Sequence, residues 1–430
     1  MFERTYIEEA KGRLGERVTL AGWVTRTRDL RKFLFIILRD SSGEIQVTVK
    51  KGDESIEGAS DLTLGREDVI KVTGRAVESG VVHAGVEFIP ESIEVLNKAK
   101  QPLPFDLFGT VGAELDTRLN YRFMDFRAPK TQAIFRIQNV LLTAFRRFIT
   151  EKGYLEFQPP CIIASASEGG AELFRLPYFE KEAFLAQSPQ LYKQMAAISF
   201  EKVFTVTPIW RAEKFNTPTH LNEIRQMDIE QAFADDETVM KVLEETLVYM
   251  LEAVREESPE DLEHLSREIT VPELPLRRLT YSEAVEQLQK AGEEMVWGED
   301  FTKAQEQRLM EIVGREAFFI KDWPSVQKPF YAMPHEENPD LVHAFDLVYN
   351  GIELSSGTQR VHIPEILRQQ LRKNGLNPED FTHYIESFSY GAPPHAGWSI
   401  GLERLTMSVT GMENIRECCM FPRDRDRLVP

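Results

Sequence analysis

Short alternating runs occupy the first quarter of the chain, and the period changes beyond it. Residues 17–97 contain "RVTLAGWVTRTRD", "FLFIILRD", "EIQVTVK", "DVIKVTGRAV" and "VEFIPESIEVL", β-branched or aromatic runs separated by Gly, Asp and Ser. They predict five strands. Pro102 and Pro104 in "KAKQPLPFD" then mark a linker. From residue 131 the apolar positions Ile134, Ile137, Leu141, Phe145, Phe148 and Ile149 recur three and four apart, so "TQAIFRIQNVLLTAFRRFITEKG" predicts an amphipathic helix ending at Gly153. "YLEFQPPCII" reads as a strand entered through Pro159 and Pro160, and residues 236–257 as a second helix. Residues 258–335 are charged and mixed, and receive no elements. Strands resume at "HAFDLVYNGIELSSG" and "HAGWSI", and "GLERLTMSVTG" closes as a helix.

The five strands fit a small barrel, with an OB-fold as the natural candidate. The whole is an α+β chain: a barrel over 1–103, a hinge over 104–130 and a second domain over 131–430. With 430 residues, 42% hydrophobic and 28% charged, two domains of a soluble globular protein are expected. No apolar run is long enough to span a bilayer. The charged start "MFERTYIEEAKGRLGERV" has no signal-peptide core, and the three cysteines, Cys161, Cys418 and Cys419, show no CxxC spacing. A cytoplasmic protein without a disulfide framework is the expectation.

A net charge of −18 argues against a nucleic-acid partner. Residues 1–100, however, carry 16 Lys and Arg against 17 Asp and Glu, so nearly all of the excess lies further on. The near-neutral part holds a basic cluster, Arg26, Arg28, Arg31, Lys32 and Arg39. That cluster is either a solvated rim or a nucleic-acid footprint.

No GxxxxGK[ST], GxGxxG or HExxH occurs, so a nucleotide would have to be held by side-chain cations. "WRAEKFNTPTHLNEIRQMDIEQAF" (210–233) offers them: Arg211 and Glu213 share a strand face, His220 sits in a polar loop, and a second strand alternates to Asp228 and Glu230. Arg211 could hold a phosphate and Glu213 accept from an exocyclic amine, or the two could be a surface ion pair on an exposed hairpin. In "FDLVYNGIELSSGTQR" (345–360) the Asn350–Gly351 turn pairs Val348 with Glu353 and sets Asp346 diagonally on the same face. Two converging carboxylates suit a hard cation such as Mg²⁺, with Ser356 and Arg360 just beyond. "HAGWSIGLERL" (395–405) brings Gly397 and Gly401 close to a ligand and places Arg404 in a first helical turn, against the dipole. Lys193 is a lone cation in "AFLAQSPQLYKQMAAISF"; solvation is the default for a lysine, although this stretch is otherwise interior in character.

These stretches, in this order, resemble the three motifs of class II aminoacyl-tRNA synthetases. "KGYLEFQPPCI" is similar to motif 1, with Pro160 at the expected homodimer interface, "WRAE…HLNE…DIE" to motif 2 and "GLERL" to motif 3. The barrel ahead of them resembles that of the aspartate, asparagine and lysine subgroup. The compact form, with "SEGGAELF", "AQSPQLYKQ" and "FPRDRDRLVP", is most similar to archaeal-type aspartyl-tRNA synthetases.

The resemblance implies aspartate activation by ATP with Mg²⁺, then transfer to tRNA. Lys193 and Arg360 would clamp the aspartate side-chain carboxylate, while Glu168, Gln190 and Asp228 would meet its amino group. Arg211 would bridge the α-carboxylate and the ATP α-phosphate, Glu213 would read adenine, and His220 and Arg404 would hold the γ-phosphate. Thr219, Leu221 and Gly401 complete the ATP site. Asp346, Glu353 and Ser356 would organise Mg²⁺, and Arg211, Arg404 and Glu353 would carry catalysis. In the barrel, Phe35, Gln46 and Glu87 match anticodon-reading positions, with Arg26 and Arg28 on phosphates; without the resemblance Phe35 reads as core. Ile224 stands where the family places an adenine-stacking aromatic. Thr25 and His83 stand where strictly tRNA(Asp)-specific members carry a bulky aromatic and a lysine, which leans towards an enzyme that also charges tRNA(Asn). An asparaginyl enzyme is the nearest rival, against which Lys193 argues. A non-catalytic RNA-binding relative should have lost Arg211, Glu353 or Arg404, all present here.

Overall fold

A computed structural model describes residues 2–60, 62–80, 85–108, 112–164 and 172–430. The chain forms two compact units, Met1–Ala113 and Glu114–Pro430. In the first, strands β1 (Arg17–Asp29), β2 (Phe33–Arg39), β3 (Glu44–Lys50), β4 (Val69–Glu78) and β5 (Val86–Asn97) close in the order β1-β2-β3-β5-β4. Strand alternation sends Leu20, Ile36, Leu38, Ile45, Val47, Val72 and Phe88 inward to one core. The short helix Ile7–Lys11 adds Ile7 and Ala10 to it.

In the second unit an eight-stranded mixed sheet runs β12-β13-β14-β15-β16-β11-β10-β6. Its strands are β6 (Leu155–Glu156), β10 (Lys202–Trp210), β11 (Glu223–Ala232), β12 (Arg277–Thr280), β13 (Ala317–Pro324), β14 (Leu341–Tyr349), β15 (Ile352–Gln359) and β16 (His395–Gly401). Pairings from β13 to β10 are antiparallel, and the two outermost are parallel. Helices Pro129–Glu151, Asp236–Glu257 and Leu402–Thr410 share one core with Phe204, Ile229, Phe345, Trp398 and Ile400 from the sheet. The first starts with a proline at its N-terminus, and Asp235 caps the second by accepting from Thr238 N at 2.8 Å. That core covers one sheet face and leaves the other for the site.

Several sequence expectations change. "YLEFQPPCII" is not one strand: β6 joins the large sheet, while β7 (Ile162–Ile163) pairs with β9 (Lys181–Leu185), itself paired with β8 (Arg175–Tyr178). Pro159 and Pro160 between them lie in no strand, since neither has an N–H to donate. Residues 114–130, expected within a hinge, fold with the second unit and contain helices Leu115–Asn120 and Arg122–Asp125. The unassigned stretch 258–335 supplies β12, β13 and helices Tyr281–Lys290 and Lys303–Val313, which pack around Leu288, Leu309 and Trp323.

Candidate active site

Register across four strands builds the floor. Asp346 on β14 lies opposite Ser356 on β15, Ser356 opposite Ser399 on β16, and Ser399 opposite Asp228 on β11. The next row joins Thr358, Gly397 and Glu230. A Cβ at Gly397 would collide with the Glu230 carboxylate and the Ile229 carbonyl, so glycine is required there. Serines and glycines thus form a shallow centre between acidic walls. A cavity of about 550 Å³ opens over them.

The hairpin turn at Asn350 and Gly351, both at positive φ, pairs Val348 with Glu353 as expected. A bulge follows, because Leu347 faces Ser355 and leaves Leu354 as the extra residue. In a regular strand Glu353 and Ser356, three apart, would point to opposite faces. The bulge lets both line the cavity, while Leu354 between them touches its wall and packs into the core. Asp346 therefore lies opposite Ser356 rather than diagonal to Glu353 alone.

Lys193 is 1% exposed, on helix Gln190–Phe200, and donates to Asp228 Oδ1 at 2.9 Å with Glu230 Oε2 3.6 Å away. The solvated alternative for this lysine is thereby overturned. Arg360 grips Glu230 with two bonds, Nε to Oε1 at 2.9 Å and Nη2 to Oε2 at 3.1 Å, and reaches Thr358 Oγ1 at 2.7 Å. Burial raises the Asp228 pKa despite Lys193. Burial opposes ionisation of Glu230 too, but Arg360 and Lys193 outweigh it and hold that carboxyl below its ordinary value. Asp228 Oδ2 is buried with no hydrogen-bond partner among the described residues.

Arg211 and Glu213 lie just past the end of β10, in the loop before β11, and do not share a strand face as expected. Asn222 holds that loop by donating to the Arg211 and Glu213 carbonyls at 2.7 and 3.2 Å. Both side chains still line the cavity, with Thr219, His220, Leu221 and Ile224. Arg211 Nε is buried without a hydrogen-bond partner among the described residues. Arg404, in the first turn of helix Leu402–Thr410, donates to the Glu353 carbonyl at 2.9 Å, and Gly401 opens the same wall.

Asp346 is buried and accepts both its ion-pair contacts from Lys328, at 2.6 and 2.8 Å. Burial, with the Glu353 charge, pushes its pKa to about 6 against the pull of Lys328. Glu306 accepts from Glu353 N at 3.2 Å; burial first, then Glu353, pushes it to about 8. Sequence reasoning missed Glu306, Lys328 and Glu403, whose carboxylate takes the Arg225 N–H at 3.0 Å and is pushed by burial to about 7. Glu306 and Lys328 belong to the stretch that received no elements, so no periodicity pointed to them. Among the described residues no three His, Cys, Asp or Glu side chains group as a metal site; the oxygen donors gathered there are the Asp346 and Glu353 carboxylates and the Ser356 hydroxyl.

On the barrel, Arg26, Ile37, Gln46 and Glu87 form one row across β1, β2, β3 and β5, and Arg28, Phe35 and Thr48 form the next. Phe35 thus faces outward and stacks on Phe33 at 6.0 Å, correcting its reading as core. Thr25 leaves this face. It is the extra residue of a bulge between Val24 and Arg26, buried, with Oγ1 donating to the Ile37 carbonyl at 3.3 Å. That bulge switches the phase of β1 and turns Arg26 and Arg28 outward. Glu168 and His83 lie outside the described residues.

Residues 114–425 match the family of class II tRNA synthetases (D, K and N), and residues 18–96 the OB-fold nucleic acid binding domain. The chain is 48% identical to an aspartate–tRNA(Asp/Asn) ligase of Archaeoglobus fulgidus over 99% of its own length and 100% of that protein's. It is 49% identical to the Methanopyrus kandleri protein of the same name, over 97% and 96%. Among solved structures, asparaginyl-tRNA synthetase from Pyrococcus horikoshii complexed with asparaginyl-adenylate superposes with a TM-score of 0.94 at 34% identity, covering both chains fully. Aspartyl-tRNA synthetase from Entamoeba histolytica superposes at 0.87 and 31% identity, over 100% of this chain and 93% of that one.

Proposed function

For this chain, which belongs to the class II tRNA synthetases for aspartate, lysine and asparagine, we propose ATP-dependent attachment of L-aspartate to both tRNA(Asp) and tRNA(Asn). The observation that carries the choice of amino acid is Lys193, buried between Asp228 and Glu230 beside Arg360. Aspartate enters that arrangement by exchanging partners: its ammonium takes Asp228, and its side-chain carboxylate takes Lys193 and Arg360. Asparagine can complete only the first half. Leaving Lys193 poorly matched costs about 3 kcal/mol or more, a discrimination of roughly two orders of magnitude.

Arg211, with its unpartnered Nε, would draw the α-carboxylate and the ATP α-phosphate together for in-line attack. The carboxylate oxygen bonds to the α-phosphorus, the bond to the β-phosphate breaks, and pyrophosphate leaves towards His220 and Arg404. Glu213 would accept from the adenine amine, with Thr219, Leu221 and Gly401 closing the ATP site. The oxygen donors Asp346, Glu353 and Ser356 fit Mg²⁺, since crowding and burial already disfavour the charge on Asp346. When bound there, the ion neutralises phosphate charge. The terminal ribose hydroxyl of tRNA then attacks the adenylate carbonyl and AMP leaves. The two adjacent barrel rows that carry Arg26, Gln46 and Glu87, and Arg28 and Phe35, would read the anticodon, Phe35 by stacking. The segment 154–163 would pair two copies in a cytoplasmic homodimer; the exposed Leu155 and Ile162 support this.

Two names support the dual tRNA range: both curated relatives above are aspartate–tRNA(Asp/Asn) ligases. The test is aspartate charging, with ATP and Mg²⁺, of purified tRNA(Asp) and tRNA(Asn) in parallel. Charging of both at comparable efficiency is expected. Charging of tRNA(Asp) alone overturns the dual range, and charging of neither overturns the enzymatic reading.

A further inference from the structure

A line of hydrogen-bonded side chains lies beneath the amino-acid end of the cavity. His395 Nδ1 sits 2.9 Å from the Pro393 carbonyl, which can only accept, so Nδ1 carries the proton. Burial lowers the His395 pKa and keeps the ring neutral, leaving Nε2 an acceptor. Gln194 Nε2 lies 2.8 Å from that Nε2 and must donate to it. The amide of Gln194 is thereby oriented. Its Oε1 takes the Tyr384 hydroxyl at 2.6 Å and Gln190 Nε2 at 2.7 Å. Gln190 and Gln194 are one helical turn apart on the helix that carries Lys193. All four side chains are buried, and the Phe388 ring stacks on His395 at 5.6 Å.

We propose that Gln194, His395 and Tyr384 are positioning residues that hold the Gln190 amide in one orientation, with its carbonyl oxygen towards the cavity to accept from the substrate α-ammonium. The inference rests on the aspartate-activating reading above. A glutamine amide is nearly symmetric in shape, and without this relay either end could face the ligand. The flipped form would present N–H donors to an ammonium and lose the bond. The relay sets the orientation from a distance: each donor is fixed by the polarity of the group behind it, back to a backbone carbonyl. Asp228 Oδ2, unpartnered in the same wall, supplies the second acceptor.

The test compares Gln194→Met, which keeps the volume and removes both polar atoms, with Gln194→Glu, which keeps an acceptor for Gln190 and Tyr384. ATP–pyrophosphate exchange gives KM for L-aspartate and for ATP, and competition gives Ki for succinate, an aspartate without its amino group. Gln194→Met should raise KM for aspartate about tenfold, the scale of one hydrogen bond to a charged group. KM for ATP and Ki for succinate should stay within about twofold. Gln194→Glu should recover most of the loss. Tyr384→Phe, removing one donor to the relay from another element, should show the same split at about threefold. Parallel rises in KM for aspartate and Ki for succinate would show general loosening and overturn the inference. So would tolerance of methionine with damage from glutamate, the order expected of simple packing. Absence of aspartate-dependent exchange in the unsubstituted protein fails the functional reading itself, and is told apart by that control.

Discussion

An ammonium withdrawn from water needs opposite charge beside it, and Lys193 has Asp228 at 2.9 Å and Glu230 at 3.6 Å. Those acids are in place because β11 alternates, so residues two apart share its site face. A second charged pair lies away from the cavity, where His343 Nδ1 approaches Asp236 Oδ1 at 3.5 Å. The hydrogen bond to Asp236 raises the His343 pKa against burial. Burial would raise that of Asp236, but the bond and charge of His343 bring it below its ordinary value. Asp322 and Lys321 also face the pair. A histidine with a raised folded pKa contributes stability below its unfolded value, and loses it as pH rises through the folded one. The aspartate contribution is present above its unfolded value and lost as pH falls. The pair is thus strongest between about pH 4 and 6.5. Asp236→Asn should lower Tm more at pH 6 than at pH 9; an equal loss at both would mean that the ion pair does not form in solution. Of these residues the sequence marked Lys193 and Asp228 by motif, whereas His343 and Asp236 meet only across β14 and a helix N-terminus.

At the scale of elements, the loop between β10 and β11 owes its shape to the end of the chain. Asn222 N donates to the Arg423 carbonyl at 2.8 Å, Arg425 Nη1 to the Lys214 carbonyl at 2.6 Å, and Arg416 Nη1 to the Thr217 carbonyl at 2.9 Å. Asn216 also donates to Asp426. Removal of residues 422–430 should raise KM for ATP about tenfold, the scale of a misplaced binding loop, and change KM for aspartate far less. Equal changes in both would show that the tail supports the whole unit instead. Local patterns predicted many elements well, since β1, β3 and helix Asp236–Glu257 match their sequence patterns end to end. Two helices in the unassigned stretch went unpredicted, although each opens on a capping box, Thr280–Glu283 and Thr302–Gln305. Nor were the bulges at Thr25 and Leu354 predicted. A bulge depends on the partner strand, and each one reverses which side chains reach a site.

For the whole molecule, charge and core divide along the same line. The barrel unit has its own hydrophobic core and near-neutral charge, while the acidic excess lies in the larger unit. Binding of an anticodon stem-loop should therefore depend on few cations. Replacing Arg26 and Arg28 together by alanine should flatten the plot of log affinity against log salt by about 1 to 2 units of slope. An unchanged slope would place the phosphate contacts elsewhere. The sequence by itself determined the barrel strands, the long helices Pro129–Glu151 and Asp236–Glu257, the two-domain division in outline and the identity of the chemical groups, because periodicity and motif spacing are local properties of the chain. Tertiary structure alone decided which of those groups converge. The row from Asp346 through Ser356 and Ser399 to Asp228 joins four strands, and the relay from Pro393 to Gln190 spans about 200 residues. Strand order, register and burial are properties of the packed sheet, and no run of consecutive residues encodes them.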